Sequence, residues 1–262
     1  MQAIPDRHRD RHVVITGAGS GIGRAIALRL AAEGAQLTLL ARRLEKLEET
    51  AAQVQAHGAR FHVGSCDIRQ SEQVHACFDQ AAKALGPIHG LVANSGIGGP
   101  NRPGPEDRFY DLIQTNLIGT YETMRAAQKH LADPPEPRHL LAVSSVLGRF
   151  GVPGYTGYCA SKTGLLGLVR SLALELAPQH VQVNAVCPGW VDTEMAQAGI
   201  EDMARVMGMP FELAHQTAMQ MVPMGRMNTP EEVAGLVSYL LSPDAAGITG
   251  QGLDMNGGSW MG

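Results

Sequence analysis

Two hydrophobic periods alternate along the chain. Short runs rich in leucine and β-branched residues read as strands: "HVVITG" (12–17), "QLTLLA" (36–41), "RFHVGSCD" (60–67), "IHGLVAN" (88–94), "HLLAVSS" (139–145), "VQVNAVCPG" (181–189) and "GLDMN" (252–256). Between them lie longer stretches of helical period. "GIGRAIALRLAAEG" (21–34) closes on Gly34, "LEKLEETAAQVQAHG" (44–58) is heavily charged, and "SEQVHACFDQAAKALG" (71–86) reads as a helix with Ser71 as its cap and Gly86 as its stop. Strands separated by helices need crossover connections, so the sheet should be parallel and covered on both faces. The expected architecture is a doubly wound α/β fold, with ligands at the carboxyl ends of the strands.

Composition narrows the function classes. The chain has 262 residues, of which 44% are hydrophobic, enough for one large core. No Ser/Gly linker, charge block or repeat divides it, so residues 1–262 are expected to form a single domain. The formal net charge is −4, with acids and bases interspersed, which argues against a nucleic-acid footprint. Cys66, Cys77, Cys159 and Cys187 form no CxxC pair and the ten histidines show no ligand spacing, so no metal is expected. Unpatterned thiols fit a reducing, cytoplasmic setting. No apolar run reaches membrane-spanning length, and "MQAIPDRHRDRH" lacks the apolar core of a signal peptide.

Three stretches carry candidate chemistry. "TGAGSGIG" (16–23) places Gly17, Gly21 and Gly23 where the first strand turns into a helix. Backbone can there approach a pyrophosphate, and the helix N-terminus offers free N–H groups. The second strand ends in "LLARRLEK", with Arg42 and Arg43 where a NAD-binding fold places an acid for the ribose 2′-OH. An arginine fork suits a 2′-phosphate, which favours NADP(H), with NAD(H) as the alternative; the bland reading is a solvated helix start. In "YCASK" (158–162), Tyr158 and Lys162 lie one helical turn apart on one face. A neighbouring ammonium favours the phenolate and brings a phenol towards working pH, as a general acid for a carbonyl oxygen requires. The bland reading is a buried amphipathic tyrosine. The other tyrosines, Tyr110, Tyr121, Tyr155 and Tyr239, have no lysine four residues on. A serine hydroxyl at the edge of the strand "HLLAVSS" can serve the same substrate oxygen; Ser144 and Ser145 compete for that role because they point to opposite faces.

With these pieces in place, the chain resembles the short-chain dehydrogenase/reductase family over about residues 12–258. The motifs, in order, are "TGAGSGIG", "CDI" (66–68), "ANSG" (93–96), "NLIG" (116–119), "SSVLG" (144–148), "YCASK", "NAVCPG" (184–189) and "DTEM" (192–195). The resemblance implies a Rossmann fold of about seven strands, and transfer of a hydride between nicotinamide and a ketone/alcohol pair. It implies Tyr158 as general acid/base and Lys162 as the group that lowers its pKa and holds the nicotinamide ribose. Ser145 orients the carbonyl, and Asn116 holds a water in a proton relay. Ser20, Ile22, Pro188 and Gly189 join the three turn glycines around the cofactor. Asp67 and Ile68 meet the adenine, Asn94 and Gly96 line the cofactor channel, and Thr193 meets the carboxamide. "ANSG" departs from the family's Asn-Asn-Ala-Gly at Ala93 and Ser95, and Ser20 stands where NADP-preferring members often carry a base. The glycine/proline-rich stretch after Gly96 also resembles ketoreductases of aromatic polyketide pathways, which adds a 3-oxoacyl or polyketide-type ketone to the expectation. A homotetramer or homodimer is implied as well. Eight of the twelve methionines fall within 194–228, which reads either as a gap-filling helical core or as a mobile substrate lid.

Overall fold

The computed structural model describes residues 3–262. Seven strands form one sheet: β1 (His12–Thr16), β2 (Gln36–Ala41), β3 (Phe61–Ser65), β4 (Gly90–Ala93), β5 (Arg138–Val143), β6 (Val181–Pro188) and β7 (Gly252–Met255). Their order is β3-β2-β1-β4-β5-β6-β7, and every neighbouring pair is parallel. The strand order reverses between β1 and β4, the crevice where doubly wound sheets bind ligands.

Alternate residues of each strand feed two separate cores, as the period of two dictates. Val13, Ile15, Leu37, Leu39 and Val186 pack under α1 (Gly21–Ala32), α2 (Leu44–Ala56) and α9 (Pro230–Leu240). Val14, Leu40, Leu91, Leu140 and Cys187 pack under α3 (Ser71–Leu85), α5 (Gly119–Gln128) and α6 (Thr156–Leu176). Apolar side chains thereby cover both faces of the central strands.

One sequence expectation fails in this layer. Ser71 does not cap α3; the helix already includes it, Gln70 stands at the cap without a side-chain bond, and the Ser71 hydroxyl donates to Glu122 on α5 at 2.6 Å. A partner from a neighbouring helix outcompetes the local N–H groups. Gly86 ends α3 as the pattern predicts.

Residues 194–228 form α7 (Glu194–Met207), α8 (Phe211–Gln220) and the turn beyond, around a small core of their own built on Ile200, Ala204, Ala214, Ala218, Met219 and Val222. The methionines divide between the two readings. Met203, Met209, Met219 and Met227 pack into that core, whereas Met195, Met207, Met221 and Met224 are exposed.

The strands' amino-terminal edge is a polar staple rather than a ligand site. Glu33 accepts from Arg29 at 2.6 Å, from the Ile4 amide at 3.0 Å and from Ser238, and the His8 ring lies 3.2 Å from the Ser238 hydroxyl. His12 bridges the Gly86 carbonyl and Thr38, at 2.9 Å each. Burial pushes His8 and His12 down to about 4 and His139 to about 3. The folded state therefore refuses protons that the unfolded chain accepts below about 6.5. Stability from these groups is complete above that pH and is lost as pH falls towards 4, at up to about 1.4 kcal/mol per pH unit for each histidine. Thermal unfolding is expected to drop by about 10 °C between pH 7 and pH 5. An unchanged midpoint across that range would contradict neutral, buried histidines.

Candidate active site

The glycine turn sits between β1 and α1. Gly17 has φ +68°, a backbone conformation that favours glycine. A Cβ on Gly23 would lie 2.1 Å from the Gly17 carbonyl oxygen and 2.6 Å from Asn94 Nδ2, so only glycine fits. Asn94, at the end of β4, braces the turn. Its amide Nδ2 donates to the carbonyls of Thr16 and Gly17 at 3.1 and 3.2 Å, and its backbone N–H donates to Thr16 Oγ1 at 3.1 Å. Ser20 stands at the cap of α1 without a side-chain bond, and Ile22 packs on the core. The first N–H groups of α1 thus face a cradle that no side chain of Ser20 fills, a setting suited to a pyrophosphate. Thr193 packs its methyl against the same turn, 3.2 Å from where a Cβ of Gly21 would stand, while its hydroxyl caps α7 through the Ala196 amide. Pro188 ends β6, and Gly189 lies so close to Asn256 that a Cβ would stand 2.9 Å from its Cα.

At the adenine end the picture is mixed. Arg42 and Arg43 follow β2 and are exposed, with no side-chain hydrogen bond to a protein acceptor among the described residues. Asp67 already spends its carboxylate on Arg69, which donates through its guanidinium at 2.6–3.1 Å and holds that carboxyl below the usual range. Ile68 buries its side chain against Gly119. The Asp67 backbone is committed as well, its N–H donating to Gln73 Oε1 at 2.7 Å and its carbonyl accepting from the Gln70 amide at 3.0 Å.

The chemistry end is assembled from three elements. Ser145 follows β5 and caps a short turn, Val146–Gly148, by accepting from the Leu147 amide at 3.1 Å. The same hydroxyl lies on the side of the Tyr158 phenol and favours its ionised form, against the larger effect of burial. Ser144 points away and donates to the Lys162 carbonyl at 2.9 Å. The strand's alternation separates the two serines: Ser145 lies on the side of the phenol, and Ser144 holds the helix. Tyr155 stands just before α6 and meets Tyr158 edge-on at 6.5 Å between ring centroids.

Lys162 is buried, and its ammonium donates to the Val143 carbonyl at 2.9 Å, lying 5.6 Å from the centre of the Tyr158 ring. Burial pulls it down to about 8. Burial likewise pushes the Tyr158 phenol above its ordinary value, with the Ser145 hydrogen bond opposing. Here the structure departs from the expectation of a lowered phenol: desolvation dominates and pushes the phenol up.

Asn116 lies in a π-helical turn, Gln114–Ile118, that joins α4 (Phe109–Ile113) to α5. Wide turns of this kind recur at functional sites. Its side chain is already committed: Oδ1 accepts from the Ile97 amide at 2.8 Å, and Nδ2 donates to the Ile97 carbonyl at 3.0 Å and to Ser161 at 3.1 Å. A Cβ on Gly96 would lie 3.1 Å from Asn116 Oδ1 and 3.6 Å from Lys162 Nζ, so these two groups converge under the loop after β4. The π turn, Ser161 and Thr16 escaped the sequence reading. A buried hydroxyl three residues after Tyr158 and a threonine directly before Gly17 were the available signals.

Beside this centre is a cavity of about 840 Å³ between the loop 98–108 and α7, with Met195 and Asp202 on its far wall. Burial, with the charge of Asp202 adding, pushes up the phenol of Tyr155, the ring that meets Tyr158 edge-on. Among the described residues no group of three or more His, Cys, Asp or Glu is placed to hold a metal, and no helix is long and apolar enough to cross a membrane.

Known proteins share both sequence and architecture. A family profile described as "Enoyl-(Acyl carrier protein) reductase" matches residues 17–259. The 3-oxoacyl-(acyl-carrier-protein) reductase MabA of Mycobacterium tuberculosis is 34% identical over 254 residues, 96% of this chain and 94% of that protein. The corresponding FabG reductase of Staphylococcus aureus is 32% identical, over 96% and 98%. Among solved structures, a single-site variant of actinorhodin polyketide ketoreductase with NADPH superposes with a TM-score of 0.90 at 33% identity, covering 98% and 99% of the two chains. Levodione reductase does so at 0.88 and 31%, covering 96% and 98%.

Gly23→Ala tests the cradle. It should destabilise the protein by about 3 kcal/mol, through forced displacement of the Gly17 carbonyl or the Asn94 amide. NADPH affinity should fall more than about ten-fold, since the backbone donors of the turn move with it. Parental stability in a denaturant titration together with parental NADPH affinity would refute the assignment.

Proposed function

Because the chain belongs to the short-chain dehydrogenase/reductase family and is an oxidoreductase of the ketone/alcohol pair, we propose that it reduces a 3-oxoacyl or polyketide-type ketone with NADPH. The observation that carries this reading is the convergence of Ser145, Tyr158 and Lys162 at the sheet edge that also bears the glycine turn. Named relatives that reduce 3-oxoacyl carriers or polyketides supply the substrate class.

The residues fit a dinucleotide. Gly17, Gly21 and Gly23 leave a side-chain-free cradle at the α1 N-terminus, and Arg42 and Arg43 are exposed without protein acceptors, as a 2′-phosphate requires. When bound, NADPH supplies the hydride that reaches the carbonyl carbon. Tyr158 gives its phenolic proton to the carbonyl oxygen as negative charge develops there. A phenol raised by burial stays protonated through neutral pH, so the acid is loaded before the reaction. Ser145 donates to the same oxygen and fixes the carbonyl's orientation. Lys162, uncompensated by any carboxylate, provides positive charge beside the phenolate left behind. The π turn at Asn116 holds the loop after β4 and, through Ser161, the face of α6 that carries the tyrosine. Residues 194–228 serve as the substrate lid of this one-domain enzyme, their exposed methionines offering an adaptable apolar surface.

Assembly into a homodimer or homotetramer belongs to the same reading. Exposed Leu174, Trp260 and Met261 lie near the open edge strand β7, an apolar surface of the kind that a second copy covers. A cytoplasmic location is proposed from the four free thiols.

NADPH consumption with acetoacetyl-coenzyme A and with a bicyclic ketone tests the function directly. Turnover is expected on at least one, and none on either would favour a silent dinucleotide-binding protein. Within the site, Ser145→Ala should lower kcat about 100-fold, whereas Ser144→Ala should cost about 1 kcal/mol of stability and leave kcat within a few-fold. The reverse ranking would show that the wrong serine was assigned. For cofactor choice, Arg42→Ala should weaken NADPH about ten-fold and leave NADH unchanged, since one charge-assisted contact is lost. Equal losses for both nucleotides would remove the 2′-phosphate role.

A further inference from the structure

The helix that carries Tyr158 and Lys162 begins without a cap of its own. Tyr155 stands at the cap of α6 and makes no side-chain bond, although the first N–H groups of any helix need acceptors. The missing acceptor comes from 56 residues away. Asn101 Oδ1 accepts from the Gly157 amide at 2.8 Å and from the Thr156 hydroxyl at 3.1 Å, and the Asn101 amide donates to the Gly154 carbonyl at 2.8 Å. Asn101 is only 6% exposed, whereas residues 102–107 after it are all exposed.

The other end of the same side chain reaches a second helix. Asn101 Nδ2 donates to Asp107 Oδ1 at 3.0 Å, and that oxygen also accepts from the Phe109 amide, the first of α4, at 2.9 Å. The heads of α4 and α6 touch closely: a Cβ on Gly157 would stand 3.1 Å from both Phe109 Cα and Leu112 Cδ1. From there α4 runs directly into the π turn that bears Asn116. One buried amide therefore joins three parts: the loop 98–108 that walls the cavity, the element leading to Asn116, and the helix of Tyr158.

We propose that Asn101 is a positioning residue that clamps the cavity loop to the catalytic helix, so that the substrate wall and the proton donor keep a fixed relation. The proposal rests on the ketoreductase reading for its kinetic consequence, but not for the clamp itself. Its two bonds have separate jobs. The oxygen holds the start of α6, and the nitrogen holds the loop through Asp107.

Two substitutions separate these jobs. Asn101→Asp keeps an acceptor at a helix N-terminus, where negative charge is favourable, but removes the donor to Asp107 and sets two carboxylates together. Asn101→Ala removes both. Asp107→Ala frees the loop and leaves the α6 cap intact. In hydrogen exchange, Asn101→Asp and Asp107→Ala should speed exchange in 98–109 alone, whereas Asn101→Ala should speed it in 98–109 and 155–160 together. With acetoacetyl-coenzyme A, the two loop variants should raise KM about 5–10-fold with kcat within about two-fold, and Asn101→Ala should also lower kcat about ten-fold. NADPH affinity should stay within about two-fold throughout, which a merely structural role would not predict.

The proposal is overturned if both loop variants keep the parental KM and exchange pattern, or if kcat and NADPH affinity fall together. Should Asn101→Ala fail to fold, Asn101→Asp and Asp107→Ala decide the matter alone. Should the parent not reduce the ketone, the functional reading fails, while the exchange pattern still decides the clamp.

Discussion

A buried, unpaired ammonium is the constraint around which this site is organised. Lys162 is 5% exposed, no carboxylate faces it, and the Val143 carbonyl is its hydrogen-bond acceptor among the described residues. Taking a charge out of water without a counter-ion is costly, and the lysine meets the cost by titrating lower, to about 8. The neighbouring phenol is shifted in the opposite direction by the same desolvation. The two shifts move the groups apart: the phenol keeps its proton through neutral pH, and the lysine's charge is the costlier of the two to hold. An acceptor-rich ligand entering beside Gly96, where Lys162 and Asn116 converge, would favour the charged lysine.

The surrounding structure exists to keep that pair in place without closing the crevice. Asn94 braces the glycine turn on one side, and Ser144 anchors the Lys162 backbone on the other. Ser145, released from that task by the strand's alternation, is free to face the phenol. Polar machinery collects at the carboxyl edge of the sheet, and the histidine-rich staple of Glu33, His8 and Ser238 secures the opposite edge. Reactivity and stability are thus separated by the length of the strands.

What could be read along the chain, and what could not, follows from the range of the interactions. The parallel sheet, the glycine turn and the Tyr158–Lys162 pair rest on periods of two to four residues and on local turn chemistry, and the seven-stranded order matches the alternation. Strand alternation foretold that Ser144 and Ser145 point to opposite sides, but not that Ser144 would bond the Lys162 carbonyl on α6. Features that escaped depend on partners far apart. Asn101 caps a helix across 56 residues, Ser71 leaves its own helix for Glu122, and Arg69 claims the carboxylate expected to face an adenine. The π turn at Asn116 also leaves no mark in hydrophobic period, since it adds one residue to a helix that continues on either side. The methionines of 194–228 divide between core and surface, which composition cannot foresee because both uses draw on the same flexibility.

The account stands or falls on Tyr158 as the proton donor. Its most direct test is Tyr158→Phe, measured for ketone turnover and for NADPH affinity in one preparation. The account predicts turnover reduced by about three orders of magnitude or more, with NADPH affinity within a few-fold, because only the transferred proton has been removed. Turnover retained within ten-fold of the parent would contradict it.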